Sequence, residues 1–218
     1  LKTIYPNATN NILIDIRGAV EEEIMYYSKR PLILRHLKMT YIRKVRKYTQ
    51  HMKYVSVVTG TLKKYVMNKY GTDENRIFVN PCIAGSGFKH DVTNRAKIRN
   101  ELGLSPIDIV VVFMSGGMSQ WQNMSDIVNA LQKLNIYILV LGTSKVIGKN
   151  VITMKVTYEK VPQYLSACDI GVIFRDKNII NKVALPVKYC EYIAVGLPVV
   201  TNGSIPSIDA DIKKYDLG

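Results

Sequence analysis

The sequence predicts an α/β protein whose C-terminal half is a doubly wound parallel sheet. Three observations predict it. Short apolar runs recur at 107–114, 136–141, 151–155, 169–174 and 198–201, bounded by glycine, proline or polar turn residues. Between them, stretches such as 121–134 and 159–167 carry apolar residues at helical spacing. Apolar strands that alternate with helices belong to parallel sheets covered on both faces. The third observation is residues 181–200, which read as a loop, a short helix, a sharp stop and a buried strand.

The first half is sparser. Residues 12–16 form a short strand candidate ending in Asp15-Ile16-Arg17-Gly18. A helix follows over 20–27, with Glu21, Glu22 and Glu23 in its first turn, where carboxylates suit the helix dipole. Pro31 opens a second helix reaching about Met52. Residues 54–58 are a strand, 62–69 a helix and 76–79 a strand. Residues 80–90 are small and turn-rich, so the domain boundary is placed there, giving domains 1–84 and 85–218. The second half then opens with a helix over 93–102 that Gly103 terminates.

Composition narrows the function. Of 218 residues 47% are hydrophobic, enough for one large or two small cores. The longest apolar runs are far too short to span a bilayer. Cys82, Cys168 and Cys190 are scattered and lack metal-site or disulfide spacing, which points to a reducing, cytoplasmic compartment. His36, His51 and His90 show no metal-ligand spacing either. The net charge of +13 calls for an anionic partner. Its source is local: from Ile24 to Thr72 there are twelve Lys or Arg and no Asp or Glu.

The 181–200 stretch carries the chemistry. Pro186 suits a helix start, and Val187, Cys190, Ile193 and Ala194 fall at helical spacing for a core face. Gly196 is placed to end the helix, and Pro198 forbids its continuation. Lys188 lies in the first turn, where the dipole disfavours a cation unless an anion also sits there. Glu191, three residues on, shares its face. The plain alternative is a surface helix with an exposed Lys188–Glu191 pair worth a few tenths of a kcal/mol.

Pro186-x-Lys188-x-x-Glu191-Tyr192-x-Ala194-x-Gly196-x-Pro198-Val199 resembles the donor-binding motif of group 1 (family 4) glycosyltransferases, with polysaccharide and capsule enzymes as the nearest subgroup. The resemblance implies the GT-B fold: a Rossmann-like C-terminal half, and an N-terminal Rossmann-like half that is incomplete here. It implies a nucleotide-sugar donor, a glycan or lipid-linked acceptor, retention of configuration, and no cofactor or metal. Lys188 would meet the donor diphosphate and Glu191 the ribose hydroxyls. Val183 stands where many relatives carry a second glutamate, and Trp121-Gln122 where many carry a diphosphate-binding Lys or Arg. Because the first half has only three short strands and relatives extend beyond the last residue, a piece of a longer enzyme is expected.

In an open parallel sheet, ligands bind beyond the carboxyl ends of the strands. The loops there supply Gly116, Gly117, Ser119, Gly142, Thr143, Thr157 and Tyr158, and Leu185, Pro186 and Val187 lead to Lys188 and Glu191. These twelve are the expected donor-site residues. Asp15 and Arg17 end a first-half strand and are the catalytic candidates there; Arg17 would stabilise a leaving diphosphate, against the plainer reading of an ion pair with Glu21 or Glu22.

Two rival readings are an epimerase of the same fold and a nucleic-acid-binding module built on the basic segment. Against the latter, Tyr41 and Tyr48 fall on the apolar stripe of the second helix, with Leu34, Leu37, Val45 and Met52, within an arc of roughly 80°. No nucleic-acid partner is therefore expected. The stripe is expected to pack on the first domain. Arg43, Arg46 and Lys47 on the other side would dock to an anionic surface, such as the inner membrane face.

Overall fold

Parallel pairing organises both parts of the chain, in two separate sheets. The structure, a computed structural model, describes residues 12–28, 30–115, 124–142 and 146–218, without the side chains of 46–48 and 124–126. Gly116, Gly117, Ser119, Trp121, Gln122 and Thr143, and the side chains of Arg46, Lys47 and Tyr48, lie outside the described residues. No helix among the described residues is long and apolar enough to cross a membrane.

The chain forms two units. The first takes the described residues up to Cys82 together with Lys177–Leu185 and Ile205–Ser207; the second takes those of Ile83–Asp176, Pro186–Ser204 and Ile208–Gly218. A single cut at residue 84 assigns the two returning segments to the second half.

In the first unit, β1 (Leu13–Ile16), β2 (Tyr54–Val57) and β3 (Ile77–Val79) pair in that order, all parallel. Helices α1 (Val20–Tyr27) and α2 (Leu32–Lys47) connect β1 to β2, and α3 (Gly60–Tyr70) connects β2 to β3. Thr59 starts α3 by accepting the Leu62 amide at 3.0 Å, satisfying one of the donors a helix start leaves free. Ile16, Val55, Val57, Leu62, Val66 and Ile77 build the core, and Val183 from the returning segment is buried with them. Thr59 Oγ1 donates to the Val183 carbonyl at 2.9 Å. Segment Ile179–Lys182 (α7) supplies the turn that brings Val183 there. Four residues are too few to show a helical period, so the sequence pattern does not mark it.

Charges in this unit pair across elements. Lys69 Nζ lies 2.5 Å from the buried Glu21 and also binds Glu22, which accepts from Tyr65 Oη at 2.6 Å. The lysine and tyrosine contacts outweigh burial and hold Glu22 below the usual carboxylate range. Glu21 and Glu22 are thus taken by α3, and Arg17 pairs elsewhere.

Helix α2 departs from expectation. It packs through Met39, with Arg35 donating to the Met25 carbonyl. The stripe Leu34, Leu37, Tyr41 and Val45 is exposed rather than packed on the unit; among the described side chains of the expected set only Met52, beyond the helix, is buried. Periodicity locates an apolar arc but does not say which way it turns.

In the second unit β4 (Val110–Ser115), β5 (Tyr137–Gly142), β6 (Val151–Met154), β7 (Ile170–Ile173) and β8 (Val199–Thr201) form a sheet ordered β6-β5-β4-β7-β8, all parallel. Every residue of β4 is buried, as a central strand covered on both faces requires. Helix α5 (Met124–Leu131) lays Ile127 and Val128 on that sheet. Helices α4 (Val92–Glu101), α6 (Val161–Ser166), α8 (Val187–Ala194) and α9 (Pro206–Tyr215) complete the α-helices among the described residues. Arg99, almost fully buried, ties α4 to the carbonyls of Ala167, Ser105 and Asp108. Strand order runs outward from β4 in one direction through β5 and β6, then reverses through β7 and β8. That reversal is where open α/β sheets bind ligands.

Candidate functional site

The site begins with how β4 ends. Strand β7 pairs with β4 only at Val111 and Val112. Two residues further on, Met114 has no strand partner on that side. Helix α8 takes its place: the Met114 amide donates to Tyr192 Oη at 3.0 Å, and its carbonyl accepts from Lys188 Nζ. Tyr192 is fully buried, with its ring directly over Gly171 of β7. A Cβ at 171 would lie 2.5 Å from the ring, so only glycine lets the tyrosine reach β4.

The buried face of α8 is therefore Tyr189, Glu191 and Tyr192. This corrects the expected core face: Val187 and Ala194 are exposed, and Cys190 and Ile193 are half-buried. The two tyrosines win because they fill more space, and Tyr192 brings a hydroxyl that the β4 amide satisfies. Pro186 is the residue before the helix, in extended conformation, rather than its first helical residue.

Glu191 is 6% exposed, so the surface-pair alternative does not describe it. It lines a cavity of about 270 Å³ with Lys188, Tyr158, Met114, Ser115, Leu141, Gly142, Val156 and Val161. Every lining residue comes from the carboxyl end of β4 or β5, the segment after β6, or α8. Gly142 stands at the rim with φ +147°, and its ideal Cβ would lie 1.9 Å from the Ser115 carbonyl oxygen. The close approach of β4 and β5 at the cavity requires glycine there.

The electrostatics suit an anion. Burial, reinforced by the nearby Arg175 guanidinium and only partly offset by Glu191, lowers the Lys188 pKa to about 8. Burial raises Glu191, against a Tyr158 hydrogen bond and the Lys188 charge. Burial also raises the Tyr158 phenol, with Glu191 adding to it. Two cations held near each other favour a ligand with more than one negative oxygen. Arg175 lies two residues beyond strand β7, and its backbone is fixed by Asn202, which donates to the Arg175 carbonyl at 2.8 Å. Arg175 is expected from the sequence in the loop after this strand but is not among the expected donor residues; its position, two residues beyond β7 at the edge that also bears Lys188, was the signal available.

Of the expected donor residues, the structure brings Gly142, Tyr158, Lys188 and Glu191 together around one cavity. Thr157 precedes the turn that carries Tyr158 and does not line it. Leu185 packs on the core of the first unit, so it is not a wall of this cavity. Gly116, Gly117, Ser119 and Thr143 are outside the described residues. In the first unit, Arg17 Nε donates to Asp15 at 2.6 Å and Nη1 approaches Cys82 Sγ at 3.7 Å. The expected pairing with Glu21 or Glu22 is thereby corrected, because Lys69, Tyr65 and Tyr70 occupy those carboxylates. Asp15 raises the Arg17 pKa through that hydrogen bond.

Lys188 gives a testable pH dependence. Its folded pKa, about 8, lies below the unfolded value of 10.5. Between the two the unfolded chain holds the extra proton, so Lys188 makes the folded state more stable as pH rises through that window. Anion binding runs the other way. One pH unit above its pKa only about a tenth of the lysine keeps its proton, so affinity for a nucleoside diphosphate is expected to fall by about tenfold between pH 7 and pH 9. Calorimetry across that range checks this. A flat profile in the wild type, or the same slope in Lys188→Ala, contradicts it.

No protein-family model matches the chain, and no curated protein matches it by sequence. Solved structures do match. WaaG, described as a glycosyltransferase involved in lipopolysaccharide biosynthesis, aligns over 91% of this chain and 59% of its own with TM-score 0.69 at 15% identity. HepE from Anabaena, solved with UDP and glucose, aligns over 90% of this chain and 54% of its own, with TM-score 0.68 at 14% identity. Sucrose-phosphate synthase from Thermosynechococcus elongatus gives 87% and 49%, TM-score 0.65 and 15% identity. The chain therefore spans about half to three-fifths of the length of these structures. The likeness establishes the fold: a GT-B-type, Rossmann-like parallel α/β arrangement.

Proposed function

We propose that the chain is part of a glycosyltransferase and that its second unit binds the nucleotide-sugar donor. The observation that carries the reading is the meeting of Lys188 and the buried Glu191 in one cavity, beyond the carboxyl ends of β4 and β5. A sugar nucleotide presents a diphosphate and a ribose diol a few ångströms apart. The cationic pair Lys188 and Arg175 suits the first, and a desolvated carboxylate suits the second. HepE, of the same fold, was solved with UDP and glucose, so a UDP-hexose is the first donor to test.

In the reaction the bond from the anomeric carbon to the diphosphate oxygen breaks and a bond to an acceptor oxygen forms. The diphosphate leaves with the electron pair, and Lys188 and Arg175 stabilise that charge with no metal required. The acceptor proton goes to the departing phosphate on the same face, which retains configuration. Glu191 positions the donor. Pro186 and Val187 set the backbone that presents Lys188, while Thr157 sets Tyr158. Gly116, Gly117, Ser119 and Thr143 follow β4 and β5 in the sequence and are proposed as further donor contacts. In the first unit, Arg17 held by Asp15 is the candidate for assisting the leaving group. We assign the enzyme to group 1 (family 4), capsule or polysaccharide type, with a glycan or lipid-linked acceptor. It works in the cytoplasm, peripherally attached to the anionic inner membrane face through the basic segment.

Lys188→Ala and Glu191→Ala test the donor assignment. A charged hydrogen bond lost in such a site costs about 1.5–3 kcal/mol, roughly a ten- to 150-fold loss of affinity. Calorimetry with UDP, GDP and CMP derivatives should show that loss with the thermal transition preserved. Wild-type affinity in both variants sinks the reading.

A further inference from the structure

Helix α2 turns its apolar side away from the unit it belongs to. Met39 is the buried anchor, with Arg35 beside it one turn away. At 100° per residue, Ile33, Leu34, Leu37, Tyr41 and Val45 occupy an arc of roughly 120° centred well away from Met39. Ile33 is 75%, Leu37 63% and Tyr41 69% exposed. Lys38 borders this arc at its Val45 edge, Lys44 falls within it between Ile33 and Leu37, and Arg43 lies farther round, all exposed. No carboxylate occurs anywhere from Ile24 to Thr72.

An apolar face of that size is unfavourable in water, so the question is what covers it. A second copy would set Lys38 and Lys44 against their own counterparts with no acid on either helix to offset them. A single-stranded nucleic acid would answer the charge, but it needs stacking platforms, and four of the five side chains are aliphatic. An anionic bilayer surface answers both. Its interface accepts the aliphatic arc, while the long stems of Lys38 at its border and Lys44 within it carry their ammonium groups up to the phosphates.

We infer that α2 lies in the plane of an anionic membrane surface with Ile33, Leu34, Leu37, Tyr41 and Val45 inserted at the interface and Lys38 and Lys44 on the head groups. This rests on the peripheral attachment proposed above, and it relocates the contact. The expected face was Arg43, Arg46 and Lys47; the structure puts the exposed apolar arc outward instead. Attachment therefore has a component that salt does not remove.

Flotation of the 218-residue chain with phosphatidylcholine vesicles, with and without phosphatidylglycerol, tests it at low and high salt. The wild type should bind the anionic vesicles and keep a bound fraction at high salt. Leu37→Ser with Tyr41→Ser should weaken binding about tenfold or more and remove the salt-resistant fraction. Lys38→Glu with Lys44→Glu should abolish the preference for phosphatidylglycerol. All four positions are exposed, so circular dichroism should stay unchanged. UDP binding by calorimetry should also be unaffected, which separates failure here from failure of the donor assignment. Tyr41→Trp should shift its emission to the blue on anionic vesicles. The inference is overturned if the wild type stays with neither vesicle, or if high salt releases all of it and the serine variant binds equally well. It is overturned too if the serine variant instead abolishes self-association in sedimentation, or binding to a single-stranded oligonucleotide, with no vesicle binding in the wild type.

Discussion

Valine at position 142 is expected to unfold the second unit or leave it without a donor cavity. The ideal Cβ at Gly142 lies 1.9 Å from the Ser115 carbonyl oxygen and 2.8 Å from its carbon. Real Cβ contacts essentially never fall under 3.0 Å. The obstacle is backbone, paired in register across the β4–β5 ladder, so no side chain can rotate aside. The φ of +147° adds strain for any L side chain. Together these effects should exceed about 3 kcal/mol, the upper end of ordinary overpacking. Urea denaturation of wild type, Gly142→Ala and Gly142→Val should show both variants destabilised, valine more so, with nucleotide binding lost in parallel. A wild-type midpoint for valine would mean that the strand ends are not packed as described.

Tyr192→Ala is expected to cost about 3–5 kcal/mol, in the range for deleting a buried aromatic ring. The ring fills the space over Gly171, and the cavity left has a backbone wall that cannot close on it. Tyr192→Phe separates the hydroxyl from the ring. Phenylalanine keeps the packing but leaves the Met114 amide without its acceptor, for about 1–3 kcal/mol. Burial pushes the Tyr192 phenol far above its usual pKa, so the hydroxyl stays neutral throughout the working pH range. Equal stability of the phenylalanine variant and wild type, by chemical denaturation, would show that the amide finds another partner.

The sheet of the second unit was legible because a central parallel strand is apolar along its whole length, as Val110 to Met114 are. The place of Lys188 and Glu191 was legible because a proline, a short helical period and a glycine fix one helix at one strand end. What was not legible depended on direction or distance. A wheel of α2 shows an arc but not the side on which α1 lies, so the stripe was turned inward. Arg17 has acids two residues back and four residues on; the choice fell to Asp15 because Lys69, far along the chain, had already bound Glu21 and Glu22. Leu185 adjoins the donor helix in sequence yet belongs to another core, and spacing carries no trace of that.

Val183 has a consequence for the order in which the protein is made. Its carbonyl accepts from Thr59 across 124 positions of sequence, and its side chain completes the first core. During synthesis the N-terminal sheet leaves the ribosome well before this plug exists. Closing so long a loop is slow compared with local helix formation. Until it closes, Val55, Val57, Leu62 and Val66 wait with one side of their core unsealed, and the exposed arc of α2 waits beside them. The early nascent chain is therefore the stage most open to aggregation or chaperone capture.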